Sequence, residues 1–220
     1  TDPSCLYDGD PTDCSGRILF HFSPTCIPEI EVRQVVIEFV ELGSGACVAD
    51  GDANDDGTVN ILDVVGLVAH ILGNGELSAD GACQGDINGD ETLNILDVVG
   101  IVQSILGNRS DYASTVTITK SIDGTSFEAN GFVGGIQMTL SHDDDFEISL
   151  TENALVSDYN TDGNKTTLMV IAPEGSELFT ADGNYTIETV IAASGNDYIT
   201  TDLDIPVSYN ISSAYPNPFN

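Results

Sequence analysis

Tryptophan is absent from the 220 residues, and basic side chains are nearly so: five Lys and Arg stand against 36 Asp and Glu, a formal charge of -31. With so few cations nothing can displace the condensed counterions of a phosphate backbone, which excludes nucleic acid as a partner. The missing indole removes the ring on which sugar faces stack best. Polysaccharide stays as a further partner class only through Tyr159, Tyr185, Tyr198, Tyr209 and Tyr215. No apolar run reaches the roughly 18 residues of a membrane span. The N-terminus has no basic segment followed by an apolar one, so the chain reads as mature and without a membrane span. His21, His70 and His142 stand apart from any recognisable nucleophile, phosphate loop or metal motif, and Asp143, Asp144 and Asp145 read as a solvated loop. No constellation for catalysis results, and the chain is expected not to be an enzyme.

Cysteine is present but in no Cys-x-x-Cys pair. Cys5, Cys14, Cys26, Cys47 and Cys83 all fall in the first 83 residues. Without zinc-type spacing they point to disulfides in an oxidising compartment, hence to a secreted, extracellular or cell-surface protein. Cys47–Cys83 with Cys5–Cys14 is one expected pairing; Cys26–Cys47 competes with it. So acidic a surface repels itself, and divalent cations offset that repulsion, so stability is expected to depend on calcium.

The centre of the chain says one thing twice. DANDDGTVNILDVVG from Asp52 returns as DINGDETLNILDVVG from Asp86, a period of 34 residues, and both copies run on into ILGN. Oxygen-bearing residues at odd spacing fit a twelve-residue calcium loop of the EF-hand type, in which a tight turn gathers six or seven oxygens around one ion. The first loop offers Asp52, Asn54, Asp56, the Thr58 carbonyl, Asn60 and Asp63; the second offers Asp86, Asn88, Asp90, the Thr92 carbonyl, Asn94 and Asp97. Two calcium sites are therefore expected. Gly57 occupies the sixth position of the first loop, where the turn wants positive φ, whereas Glu91 stands there in the second. A non-glycine residue at positive φ costs about 1–2 kcal/mol, so the second site is expected to be the weaker. Each loop feeds a helix, Ile61 to Leu72 and Ile95 to Leu106, that ends at Gly-Asn. Apolar residues cover more than one stripe of each, so each helix is expected to be buried on more than one side, as permanent packing within the chain or against a neighbour would require.

The flanks differ from the centre. Residues 1–45 read as a disulfide-pinned β segment, with an apolar run at Ile18 to Phe22 and a strand within Glu29 to Leu42. Residues 46–110 hold the helical calcium module. Residues 111–209 alternate in short runs separated by Gly, Asn and Asp, with strands expected at Thr115 to Lys120, Phe132 to Ser141, Phe146 to Thr151, Thr166 to Ala172, Tyr185 to Ala192 and Tyr198 to Val207. That spacing argues an antiparallel β-sandwich. Residues 210–220, with two prolines close together, read as a linker. The fold class is thus α+β multidomain, a small all-α calcium module between an N-terminal β segment and a C-terminal sandwich.

GDANDDGTVNILDVVGLVAHILGN and GDINGDETLNILDVVGIVQSILGN resemble the paired calcium loop–helix motifs of a type I dockerin. The resemblance implies that the loop residues named above are calcium ligands, with Glu91 the departure from the loop consensus, and that the partner is a protein. In cellulosomal dockerins, loop positions 10 and 11 help to choose the cohesin; here they are Ile61, Leu62, Ile95 and Leu96. GFVGGIQMTLSHDDDFEISL is similar to the early strands of cohesin-like or carbohydrate-module-like sandwiches. AYPNPFN is similar to the opening of the C-terminal sorting domain of type IX secretion cargo, which implies export. The expected function is a non-catalytic, secreted, calcium-binding structural protein that partners copies of itself or another surface protein. One form is a filament in which the Val35 to Val40 strand completes a neighbour's sheet. The alternative is a carbohydrate-binding or cohesin/dockerin-type adhesion module of a larger secreted enzyme.

Overall fold

The computed structural model describes residues 48–107 and 109–205, all within one compact unit, Ser44–Asn220. The expected N-terminal β segment with Cys5, Cys14 and Cys26, and the AYPNPFN end, lie outside the described residues. Helix α1 spans Ile61–Leu72 and helix α3 spans Ile95–Leu106, the ranges expected from the repeats. Both start at an asparagine N-cap, Asn60 or Asn94, closed by an aspartate three residues on in a capping box. Helix α1 ends at Gly73 in the left-handed region (φ 80°, ψ 15°), and Gly107 after α3 also has positive φ (83°) but with ψ at 162°. A third helix, α2 (Ala79–Gly85), was not expected from its sequence, ADGACQG. Two glycines in seven residues give it little intrinsic propensity. Its Ser78 cap and the bond from the Gly51 amide to the Gln84 carbonyl hold it in place. Within it, Cys83 is disulfide-bonded; the other four cysteines lie outside the described residues, and with them the expected pairings.

Among the described residues ten strands follow: β1 Thr115–Lys120, β2 Gly124–Ala129, β3 Gly135–His142, β4 Glu147–Leu150, β5 Ala154–Asp162, β6 Lys165–Pro173, β7 Glu177–Asp182, β8 Tyr185–Ser194, β9 Asp197–Tyr198 and β10 Thr200–Asp204. They form two five-stranded sheets, β10-β1-β2-β7-β4 and β5-β6-β3-β8-β9. Between them lies a core that includes Val116, Ile118, Ile136, Met138, Leu140, Leu168, Val170 and Phe179. The sandwich is not wholly antiparallel: β10 runs parallel to β1, Thr115 opposite Thr200 and Ile118 opposite Leu203. A C-terminal strand that returns beside the first strand of its domain cannot be inferred from alternation, which carries no direction. Strands β2, β5 and β7 were also unforeseen, because polar residues such as Ser157, Asp158, Asn160 and Thr161 interrupt their apolar pattern.

The helical module lies on the outer face of the second sheet. Strand β6 is buried on both sides: Leu168 and Val170 point into the sandwich, while Met169 and Ile171 join a second core with Val64, Leu67, Val68, Leu72, Ile95, Val98, Val99 and Val102. Close approach depends on Gly134 and Gly135. A Cβ on Gly134 would stand 2.5 Å from Val99 Cγ1, and one on Gly135 3.2 Å from Ile95 Cδ1. At the other end of the module, Asn160 Nδ2 of β5 donates to the Leu72 carbonyl (2.7 Å) and Asn74 Nδ2 donates to the Tyr159 carbonyl (2.9 Å). These two amides tie the end of α1 to β5 by satisfying carbonyls that a helix end and a sheet edge leave open. Past α3 the chain is pinned at once: Arg109 pairs with Asp111 and sits 4.3 Å over the Phe132 ring, and the Ala113 amide donates to the Phe132 carbonyl.

Candidate metal centre

Each loop closes on its aspartates by backbone donors, and the two loops share most of these bonds, the second adding one from the Gly89 amide to Asp86 (2.9 Å). In the first, Asp52 accepts the amides of Asp56 (3.0 Å) and Gly57 (2.7 Å), Asn54 accepts Asp56 (2.9 Å), and Asp56 accepts Thr58 (2.9 Å). In the second, Asp86 accepts Asp90 (3.1 Å) and Glu91 (2.8 Å), Asn88 accepts Asp90 (2.8 Å), and Asp90 accepts Thr92 (2.9 Å). The last aspartate ties the loop into a ring: Asp63 accepts Asn54 (3.0 Å) and Asn60 (2.7 Å), and Asp97 accepts Asn88 (3.4 Å) and Asn94 (2.9 Å). Thus the aspartate arm at position 12, shorter than the usual glutamate, also serves as the third residue of its helix. Asn60 and Asn94 each donate to a loop carbonyl, Thr58 or Thr92, and cap the helix with their other amide atom.

Glu91 adopts φ +66°, the left-handed turn expected at that position, where Gly57 has φ +85°. The loops contain a second left-handed position that sequence reading missed: Asp55 at φ +59° in the first and Gly89 at φ +71° in the second. Each loop therefore has one glycine and one side-chain-bearing residue across its two left-handed positions. Aspartate tolerates this region better than glutamate does. The expected inequality between the sites narrows to that difference.

Asp63 and Asp97 are fully buried and Asp52 nearly so. None of the loop aspartates forms an ion pair among the described residues, where Arg109 pairs with Asp111 and Lys165 with Glu188. Burial pushes the Asp97 carboxyl above its ordinary range; the Asn94 and Asn88 amides pull it back, and Asp86 and Asp90 add to the rise. Buried carboxylates without a cationic side chain are costly, and a cation is what such a group calls for. The three carboxylates of a loop do not by themselves form a metal-holding cluster among the described residues. The remainder of the donor set is amide and carbonyl oxygen, so the chemistry of the set is all-oxygen and fits a hard divalent cation. If bound, calcium would be held by Asp52, Asn54, Asp56, Thr58, Asn60 and Asp63, and by Asp86, Asn88, Asp90, Thr92, Asn94 and Asp97, and would neutralise carboxylates that the fold draws inward.

The other residues singled out do not join this centre. His70 is partly buried, and its Nδ1 has no hydrogen-bond partner. His142 bonds the Thr166 hydroxyl through Nε2 (2.9 Å) and stacks on Phe146. Asp143, Asp144 and Asp145 are exposed. Of the tyrosines considered as sugar platforms, Tyr185 is buried against Phe179 and Thr125, because the sandwich needs its ring inside; Tyr159 and Tyr198 are exposed, and Tyr209 and Tyr215 lie outside the described residues. An open cleft of about 690 Å³ between α3 and the β8–β9 turn is lined by neutral side chains such as Gln103, Ser104 and Asn196.

The two helices, which share nine of twelve residues, meet different surroundings. Val99 is buried on Gly134, while its repeat equivalent Val65 is 45% exposed; Leu72 is buried at β5, while its equivalent Leu106 is 51% exposed. Leu62, at loop position 11, is 57% exposed. So α3 docks by its first turns and α1 by its last. No periodicity argument separates these positions, since the repeat gives both copies the same residues.

Over residues 50–106 the chain matches the Dockerin type I domain family, whose members bind calcium. No curated protein matches the chain. Among solved structures it is similar to a non-cellulosomal cohesin from the hyperthermophilic archaeon Archaeoglobus fulgidus, at 15% identity over 44% of this chain and 87% of that one, with a TM-score of 0.30.

Proposed function

We propose that this is a non-catalytic, extracellular, calcium-locked adhesion module of the cohesin/dockerin type, whose partner is a sheet surface of another protein. The observation that carries the reading is the unequal use of the repeat. One docking end of the helical pair, Ile95 and Val99, is spent on the chain's own second sheet. The equivalent end, with Leu62 and Val65, carries the same kind of apolar residues exposed to water. Exposed aliphatic side chains grouped on one helix face mark an interaction site more often than scattered ones do. A second copy is the poorer partner, because its equivalent sheet is already covered by its own module at the high effective concentration of a tether.

Binding of the full chain to isolated cohesin-type sandwiches, measured by biolayer interferometry in calcium and in chelator, tests this. The reading requires calcium-dependent binding that Leu62→Asp with Val65→Asp abolishes. Binding indifferent to both changes, or no binding to any such sandwich, refutes it. A second reading, a structural subunit, is favoured by the burial of α1 and α3 on the chain's own sheet, which makes the module a joint. Light scattering of the full chain with calcium separates the two: long assemblies without an added partner favour the subunit, and monomers favour the adhesion module.

A further inference from the structure

We propose that the second calcium loop, rather than the first, is the switch that seats the helical module on the sandwich; this rests on the calcium reading above. In the second repeat the position-12 residue Asp97 lies between Ile95 and Val99, the two side chains seated on Gly135 and Gly134. Asp97 accepts the amides of Asn88 and Asn94, so it joins the start of loop 2 to the start of α3. Whatever holds this carboxylate inward fixes the helix turn that meets the sheet. With the cation removed, the charges of Asp86 and Asp90 bear on Asp97, with no basic side chain paired to any of the three among the described residues. Loop 2 then opens at the docking end of α3. In the first repeat the geometry is different. Asp63 is flanked by Ile61 and the exposed Val65, while α1 meets the sandwich at its far end, through Leu72 and the Asn74 and Asn160 amides. Opening loop 1 leaves those contacts in place. The two sites therefore do different work: the first stabilises the module, and the second governs whether the outer face of β3, β6 and β8 is covered. Glu91 tolerates the left-handed region less well than Asp55 of loop 1 does, which makes loop 2 the more readily emptied and suits it to respond to calcium.

The test uses the full chain, with calcium binding followed by calorimetry and docking by hydrogen-exchange mass spectrometry. Asp56→Ala and Asp90→Ala remove equivalent exposed carboxylates from the two loops without touching either helix cap. In calcium, Asp90→Ala is expected to speed exchange in peptides covering Val98 to Val102 and Val133 to Met138 by on the order of tenfold or more, and Asp56→Ala to leave them unchanged. Glu91→Gly relaxes the loop instead of breaking it, and is expected to lower the calcium concentration for half-protection of the same peptides roughly threefold. Equal effects of Asp56→Ala and Asp90→Ala, or full protection in Asp90→Ala after calorimetry shows its site lost, overturns the switch and leaves the calcium reading standing. Absence of calcium binding by the unmodified chain overturns both.

Discussion

Gly134 offers the sharpest quantitative test of how the module is seated. A Cβ there would lie 2.5 Å from Val99 Cγ1, 3.0 Å from Val99 Cγ2 and 3.2 Å from the Ala193 carbonyl oxygen. Carbon atoms in contact prefer about 3.5–4.0 Å, so the added methyl intrudes by about 1 Å. Either Val99 leaves its rotamer, at about 0.5–1.5 kcal/mol, or α3 lifts and loosens the Ile95 contact as well. Overpacking of this kind costs about 1–3 kcal/mol, and Gly134→Ala is expected near 2 kcal/mol. Val99→Ala alone removes two buried carbons, worth about 1.6 kcal/mol before any cavity term. In the double variant the methyl at 134 enters the space that Val99 vacates. The combined loss should therefore be no larger than the worse single variant, a coupling of about 1.6 kcal/mol or more. Guanidinium unfolding in calcium, followed by far-ultraviolet circular dichroism, measures all three. Losses that add within about 0.5 kcal/mol would show that Gly134 is not where α3 meets the sheet.

The repeat supplies its own control: Val65→Ala, in the same NILDVVG context as Val99→Ala, should fall within about 0.5 kcal/mol of wild type in the same unfolding assay, because Val65 is exposed and Val99 is fully buried. Asn160→Ala removes the bond to the Leu72 carbonyl and should cost about 1 kcal/mol, seen as faster exchange at the end of α1 with the β1–β2 hairpin unaffected. Burial holds the Tyr185 hydroxyl above its ordinary range, partly countered by its bond to Thr125. A raised tyrosine keeps its proton longer folded than unfolded. The sandwich should therefore hold its stability below about pH 10 and lose it as pH rises from there through the folded value, a loss that Tyr185→Phe reduces in alkaline thermal melts.

Much of the module was legible because its signals are local. Asn60 and Asn94 as caps, Asp63 and Asp97 three residues on, and Gly-Asn at the ends bracket α1 and α3 without reference to anything distant. The left-handed turn at Glu91 was legible for the same reason, while Asp55 was not, since the loop pattern marks only its sixth position. In the sandwich, β1 and the apolar centre of β6 were plain. Strand β5 was hidden because Asp158 and Asn160 are polar for a purpose that only the tertiary structure shows: the Asp158 carboxylate accepts from Asn74, and the Asn160 amide donates to the Leu72 carbonyl at the end of α1. The parallel pairing of β10 with β1 depends on chain direction, which alternation does not encode.

Duplicated sequence and unequal burial together constrain function more than either does alone. The heptapeptide NILDVVG occurs in both repeats, so the exposure of Leu62 and Val65 cannot be assigned to a difference in their own segment. It follows from there being, among the described residues, one docked sheet face for two docking ends. If permanent intrachain packing were the whole purpose of the helices, polar residues at 62 and 65 would leave every buried contact of α1 intact, since Val64, Leu67, Val68 and Leu72 supply them. Apolar residues there bring no such contact and leave aliphatic surface in water on a chain whose -31 charge otherwise favours solubility. Packing among the described residues leaves the exposed end of α1 unexplained, and the protein partner of the proposed adhesion reading accounts for it.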